Sequence, residues 1–173
     1  MTALTLTLIG RDRPGLVQSL SERVTAAGGN WLESRMARLA DRFAGILLVE
    51  VPDAEVERFL VELDALAAQG LKVTVERGSE EPTEAQRILR LELMGQDRPG
   101  IVRDIAQALA GRGVNIEELT TRLVSASFSG ERMFEVEARL KVPAGLPADE
   151  LRGVLERLAN EIMVELHLDQ ADA

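Results

Sequence analysis

Residues 10–17 read Gly10-Arg11-Asp12-Arg13-Pro14-Gly15-Leu16-Val17, and residues 95–102 read Gly95-Gln96-Asp97-Arg98-Pro99-Gly100-Ile101-Val102. Six of the eight positions are identical at an offset of 85. The offset holds on both sides of the motif. Forward, Gly28 meets Gly113 and Asn30 meets Asn115, and nine of 27 positions agree between 10–36 and 95–121. Backward, Leu4, Leu6 and Leu8 meet Leu89, Leu91 and Leu93. A motif retained together with its flanking periodicity marks an internal duplication of a unit of about 80 residues. A solenoid would need more copies of a shorter repeat. The chain therefore reads as two small domains, 1–78 and 87–173, joined by a polar, acidic linker at 79–86 that contains Ser79, Glu80, Glu81 and Pro82.

Each unit has the same order of elements. Leu4, Leu6 and Leu8 alternate with Thr5 and Thr7, the period of a half-buried strand, and Leu89, Leu91 and Leu93 repeat it. Proline is favoured at the first helical position, so helices are expected to begin at Pro14 and Pro99. Leu16, Leu20 and Val24, like Ile101, Ile105 and Leu109, are spaced by four. Gly28 and Gly113 are helix terminators. Two hairpins are expected next, 31–40 with 43–51 around Asp41-Arg42, and 116–126 with 131–142 around Ser127-Phe128-Ser129-Gly130. A second helix follows in each unit, striped by Val56, Phe59, Leu60, Leu63 and Leu66, and by Leu151, Val154, Leu155 and Leu158. Leu71, Val73 and Val75 mark one closing strand; Ile162, Val164, Leu166 and Leu168 mark the other. The order βαββαβ, twice, is α+β: two ferredoxin-like units in tandem, each an antiparallel sheet with helices on one face.

Composition narrows the function. The 173 residues are 46% hydrophobic and 28% charged, which suits a folded protein. No apolar run approaches the ~20 residues that cross a bilayer, and Met1-Thr2-Ala3-Leu4-Thr5 lacks a signal-peptide pattern. A cytoplasmic location without a membrane partner is the expectation. The chain has no cysteine, which excludes disulfides, thiolate zinc sites and thiol catalysis. Net charge is −9, divided as −3 over 1–80 and −6 over 81–173. Nucleic-acid binding relies on cationic patches and stacking aromatics. With no dense Lys/Arg run, four Phe, one Trp and no Tyr, direct nucleic-acid binding is not expected.

The βαββαβ order, the Asp-Arg-Pro-Gly after strand one, and Gly28-Gly29-Asn30 and Gly113-Val114-Asn115 before strand two together resemble the ACT domain. The resemblance covers nearly the whole chain, twice. A free-standing tandem of this length is similar to the glycine cleavage system transcriptional repressor family. The resemblance implies binding of a small amino acid, with glycine as a candidate, where paired domains meet, with the loop after strand one and the start of strand two lining the site. It also implies action through a protein partner, such as a DNA-binding transcription factor, and a homo-oligomer.

The candidate ligand-binding residues are Asp12, Arg13, Gly15, Leu16 and Asn30 in the first copy, and Asp97, Arg98, Gly100, Ile101 and Asn115 in the second. Their chemistry suits a zwitterion. Free N–H groups at a helix start attract a carboxylate, and glycine admits it closely. An aspartate accepts from an ammonium group, an arginine pairs with a carboxylate, and asparagine does both kinds of hydrogen bonding. The same residues suit a purely structural role, with the aspartate capping the helix and Gly-x-Asn making a turn.

No catalytic, cofactor or metal site is expected. His167, the single histidine, falls on the last strand opposite Leu166 and Leu168 without an evident partner, and Trp31 reads as packing. The leading function is thus a non-catalytic regulator that senses a small amino acid and controls transcription through a protein partner. The alternative is a ligand-free dimerisation or assembly module of the same fold.

Overall fold

The computed structural model describes residues 1–78, 86–125 and 131–170. The chain divides into two compact units, Met1–Glu81 and Pro82–Ala173. Residues 79–85, most of the expected linker, lie outside the described residues, as does the second hairpin turn at 127–130.

In the first unit the elements run β1 (Thr2–Arg11), α1 (Leu16–Ala26), β2 (Asn30–Leu39), β3 (Arg42–Val51), α2 (Val56–Asp64) and β4 (Leu71–Arg77). A 3₁₀ turn extends α2 over Ala65–Gln69. The second unit repeats the order: β5 (Gln86–Gln96), α3 (Ile101–Ala110), β6 (Asn115–Ser125), β7 (Arg132–Pro143), α4 (Ala148–Ile162) and β8 (Val164–Gln170). The sheets are ordered β2-β3-β1-β4 and β6-β7-β5-β8, antiparallel throughout. This is the ferredoxin-like arrangement expected from the element order.

The alternating leucines fix the register. Leu6 on β1 faces Leu47 on β3 and Val75 on β4; Leu91 on β5 faces Ala138 on β7 and Leu168 on β8. Every second residue of the central strands therefore points at the helices. Leu4, Leu6 and Leu8 join Leu16, Leu20, Val24, Phe59 and Leu63 in one core. Leu89, Leu91 and Leu93 join Ile101, Ile105, Leu109, Leu151 and Leu155 in the other. Burial of one such side chain contributes about 1.5–3 kcal/mol. Among the described residues no polar or charged residue is buried. The face of each sheet away from the helices is open: Ile9 and Ile46 are exposed there in the first unit.

The helices do not start where the prolines suggested. They begin at Leu16 and Ile101, two residues later. Proline fixes its own φ but does not force a helix to follow. Here Gly15 and Gly100 take φ of 90° and 97° with ψ near 0°, the third position of a type II turn. Pro-Gly thus turns the chain sharply before the helix, and the glycine becomes the N-cap. The helix ends agree with expectation. The Gly28 amide donates to Thr25 and that of Gly29 to Val24; Gly113 and Val114 bond Ala110 and Leu109 in the same way.

Two smaller differences follow from backbone geometry. The first hairpin turns at Ala40 and Asp41, with Ala40 at φ 54°, and Arg42 already belongs to β3. Ile162 is buried as the last residue of α4 rather than as part of the closing strand, because Met163 at φ 55° ends the helix first. Both β2 and β6 also carry a bulge, between Trp31 and Glu33 and between Ile116 and Glu118. The bulge recurs at the duplicated position, so the copies share even this irregularity.

Candidate functional site

The loops that follow β1 and β5 are built alike. The Asp12 amide donates to the Asp41 carbonyl at 2.9 Å, and the Asp97 amide to the Arg132 carbonyl at 3.0 Å. Each loop is thus fastened to the tip of its own hairpin. The Ser19 amide then reaches the Gly15 carbonyl and the Asp104 amide the Gly100 carbonyl, both at 2.9 Å, opening the helices. The first three amides of each helix lie beyond this pattern, at the positive end of the helix dipole.

The motif aspartates do not cap. Neither helix has a side-chain cap. Instead Asp12 pairs with Arg38 Nε at 2.9 Å, and Asp97 pairs with Arg132 at 3.3 Å. The capping alternative raised by the motif is therefore set aside for both copies. Each carboxylate ties the loop to the hairpin and stays partly exposed.

The two arginines of the motif behave differently. Arg13 donates from Nη2 to the Gln69 carbonyl at 3.0 Å, bracing the loop against the end of the 3₁₀ turn. Arg98 reaches Asp104 Oδ2 at 3.2 Å, while its Nε is buried without a hydrogen-bond partner. Asp104 also receives Arg103 Nε at 2.9 Å and Nη2 at 2.7 Å. The Arg103 hydrogen bonds, with a smaller contribution from Arg98, hold its carboxyl below the usual carboxylate range.

Leu16 and Ile101 are core residues, 4% and 2% exposed, so what they present at the loop is a backbone amide. The space beside the first loop is a shallow concavity of about 210 Å³ lined by Asp12, Arg13, Gly15, Leu16, Val17, Gln18 and Phe43. Four of the five candidates of the first copy meet there. Asn30 does not. It faces Glu50, which faces Ala3 near the start of β1, whereas the loop follows Arg11 at the other end of that strand. Eight residue steps of ~3.3 Å, from Ala3 to Arg11, separate the two ends. Asn115 is displaced from Gly100 in the same manner, facing Lys141 while the loop follows Gln96. A single small amino acid cannot touch both the loop and the asparagine of one unit.

Arg38, Arg132 and Phe43 are the loop neighbours that sequence reasoning missed. They reach the loop through strand register, and nothing in their spacing from Asp12 or Asp97 announces it. The other features suit packing or solvation. Trp31 packs on the first core and donates from Nε1 to Ser34 at 3.3 Å. His167 is exposed on β8, in register with Glu92. A larger concavity of about 490 Å³ lies on the open face of the second sheet, among Arg90, Glu92, Glu118, Thr120, Glu137 and Arg139. Its arginines are engaged by carboxylates: Arg90 by Glu92 and Glu137, and Arg139 by Glu117. Among the described residues no cluster of three or more His, Cys, Asp or Glu could hold a metal ion, and no helix is long and apolar enough to cross a membrane.

Comparison with known proteins follows the division into units. Residues 2–76 and residues 89–145 each match the ACT domain. Over 166 residues the chain is 24% identical to the glycine cleavage system transcriptional repressor of Escherichia coli (strain K12), covering 92% of this chain and 85% of that protein. The repressor of Shigella flexneri matches to the same extent. Among solved structures, an unknown protein from Galdieria sulphuraria is 29% identical and superposes with a TM-score of 0.88 over 99% of both chains. A structure provisionally described as a glycine cleavage system transcriptional repressor is 22% identical, with a TM-score of 0.73 over 99% of this chain and 98% of that one. The latter likeness bears on the fold.

Proposed function

We propose that this chain, a member of the ACT domain family with two such domains in tandem, is a non-catalytic regulator that senses a small amino acid and controls transcription through a protein partner. The single observation that carries the reading is the match to the Escherichia coli repressor, which spans 92% of the chain and takes in both domains. The geometry of the first loop supports it. Gly15 stands with open space around it, a helix start lies behind it, and Asp12 and Arg13 flank it. A ligand carboxylate fits the helix start and the arginine; its ammonium group fits Asp12. Glycine is the smallest ligand with both groups and suits the small volume.

The asparagines take part through pairing. Asn30 and Asn115 contribute where copies of the chain meet in a homo-oligomer. Such a site is complete only in the assembled oligomer, and a ligand that binds it favours that assembly. The signal then passes to a DNA-binding partner, since the acidic chain is poorly suited to bind phosphates itself. Action in the cytoplasm follows from the same reading.

Isothermal titration calorimetry of the full chain against glycine, serine and the other common amino acids tests the proposal. Saturable heat that weakens in Asp12→Ala supports a sensor. Silence from a protein shown to be folded would favour the alternative, an assembly module with empty loops. Pull-down against transcription factors, with and without the active amino acid, then tests the partner.

A further inference from the structure

We propose, resting on the reading of these loops as ligand seats, that the second loop is filled by the chain's own Asp104 and that the first alone is open to a ligand. The backbones of the two seats agree: Gly15 and Gly100 have φ of 90° and 97°, and the first helical hydrogen bonds are both 2.9 Å. The side chains do not. The offset of 85 sets Gln18 against Arg103 and Ser19 against Asp104. In the second copy this exchange places the Asp104 carboxylate and the Arg103 guanidinium over the glycine. Asp104 accepts from Arg103 through Oδ1 and from Arg98 through Oδ2. A Cβ on Gly100 would lie 3.1 Å from the Arg103 guanidinium and 3.8 Å from Asp104 Oδ2, whereas one on Gly15 would meet nothing within 4 Å.

The consequence is chemical. A ligand carboxylate arriving at the second loop needs Arg98, and Arg98 already holds a carboxylate that is tethered to the same helix. A tethered group competes at a high effective concentration. At the first loop Ser19 has no charge, and Arg13 donates to the Gln69 carbonyl rather than to a carboxylate. The duplication has thus produced one receptive loop and one closed by its own side chains.

Two measurements on the full-length chain test this. The first is calorimetric titration with glycine, and then the other common amino acids, into the wild type, Asp104→Ser, Asp104→Asn and Ser19→Asp. The wild type is expected to bind one amino acid per chain, Asp104→Ser to gain a second, and Ser19→Asp to lose the first. Two per chain in the wild type would overturn the proposal. The second needs no ligand: phenylglyoxal modification of Arg98, followed by peptide mass mapping. Arg98 is expected to react several-fold more slowly in the wild type than in Asp104→Ser or Asp104→Asn. Equal rates would overturn the closure whatever binds. If no variant binds an amino acid, the sensor reading fails, and the Arg98 rates alone uphold or overturn the closure.

Discussion

The carboxylate of Asp12 lies 2.9 Å from Nε of Arg38, and the pair holds the loop after the first strand against its hairpin. The second copy reaches the same end with a different arginine. Asp97 bonds Arg132, the first residue of β7, through both its amide and its carboxylate. In the first copy the corresponding carbonyl belongs to Asp41, whose side chain cannot accept a carboxylate partner, and the arginine comes from β2 instead. Two different sequences thus fasten one loop geometry.

Because these pairs are partly exposed, their contribution to stability is small, about 0–1 kcal/mol. Arg38→Ala and Arg132→Ala are expected to move the urea midpoint little. Their effect belongs to the loop, and is read as faster amide hydrogen exchange at Asp12 or Asp97. A loss well above 1 kcal/mol would show that the pairs carry the fold and not only the loop.

The turn glycines are more demanding. Gly15→Ala places a side chain in the left-handed region, at a cost of about 1–3 kcal/mol, although the space around it is empty. Gly100→Ala bears the same strain and must also displace the Arg103 guanidinium at 3.1 Å. Urea denaturation is expected to rank Gly100→Ala as the more damaging of the two.

Deep in the two cores, Leu6 and Leu91 are fully buried on the central strands. Leu6→Ala and Leu91→Ala are each expected to cost about 2–5 kcal/mol, far above any surface change. Thermal unfolding followed by circular dichroism checks this, and an effect under 1 kcal/mol would contradict the packing.

Acid should release Asp104. Its folded pKa is depressed by the Arg103 hydrogen bonds, so its contribution is present above the ordinary value of 3.8 and is lost as pH falls through the lower folded value. The stability difference between wild type and Asp104→Asn is expected to be full at neutral pH and to shrink below pH 3.8. Asp53, held down by the Thr2 hydroxyl and the N-terminal ammonium group, is expected to behave likewise. A difference that stays constant into acid would contradict the pairing.

Much of this architecture can be read in the chain itself, because the deciding signals are local. Leu4-Leu6-Leu8 alternates, Leu16-Leu20-Val24 steps by four, and Gly28 ends its helix, all set by backbone period and φ. The helix start escapes the same reasoning, since Pro-Gly serves equally as a first helical turn and as a type II turn. The bulges at Trp31 and Ile116 escape it because an extra strand residue depends on the partner strand. The candidate site is legible in kind but not in arrangement. Asp12 and Asn30 are eighteen residues apart, yet α1 carries the chain back to the far end of the sheet between them. Similarly, the motif is shared by both copies, while the difference on which the proposed closure of the second loop rests sits just beyond it, at Ser19 and Asp104.

Calorimetric titration of the folded chain with glycine and the other common amino acids, in parallel with Asp12→Ala, tests the central claim most directly. The account predicts saturable heat for a small amino acid that is weakened or lost in the variant. No heat from any amino acid, with the circular dichroism spectrum of a folded protein, would contradict it.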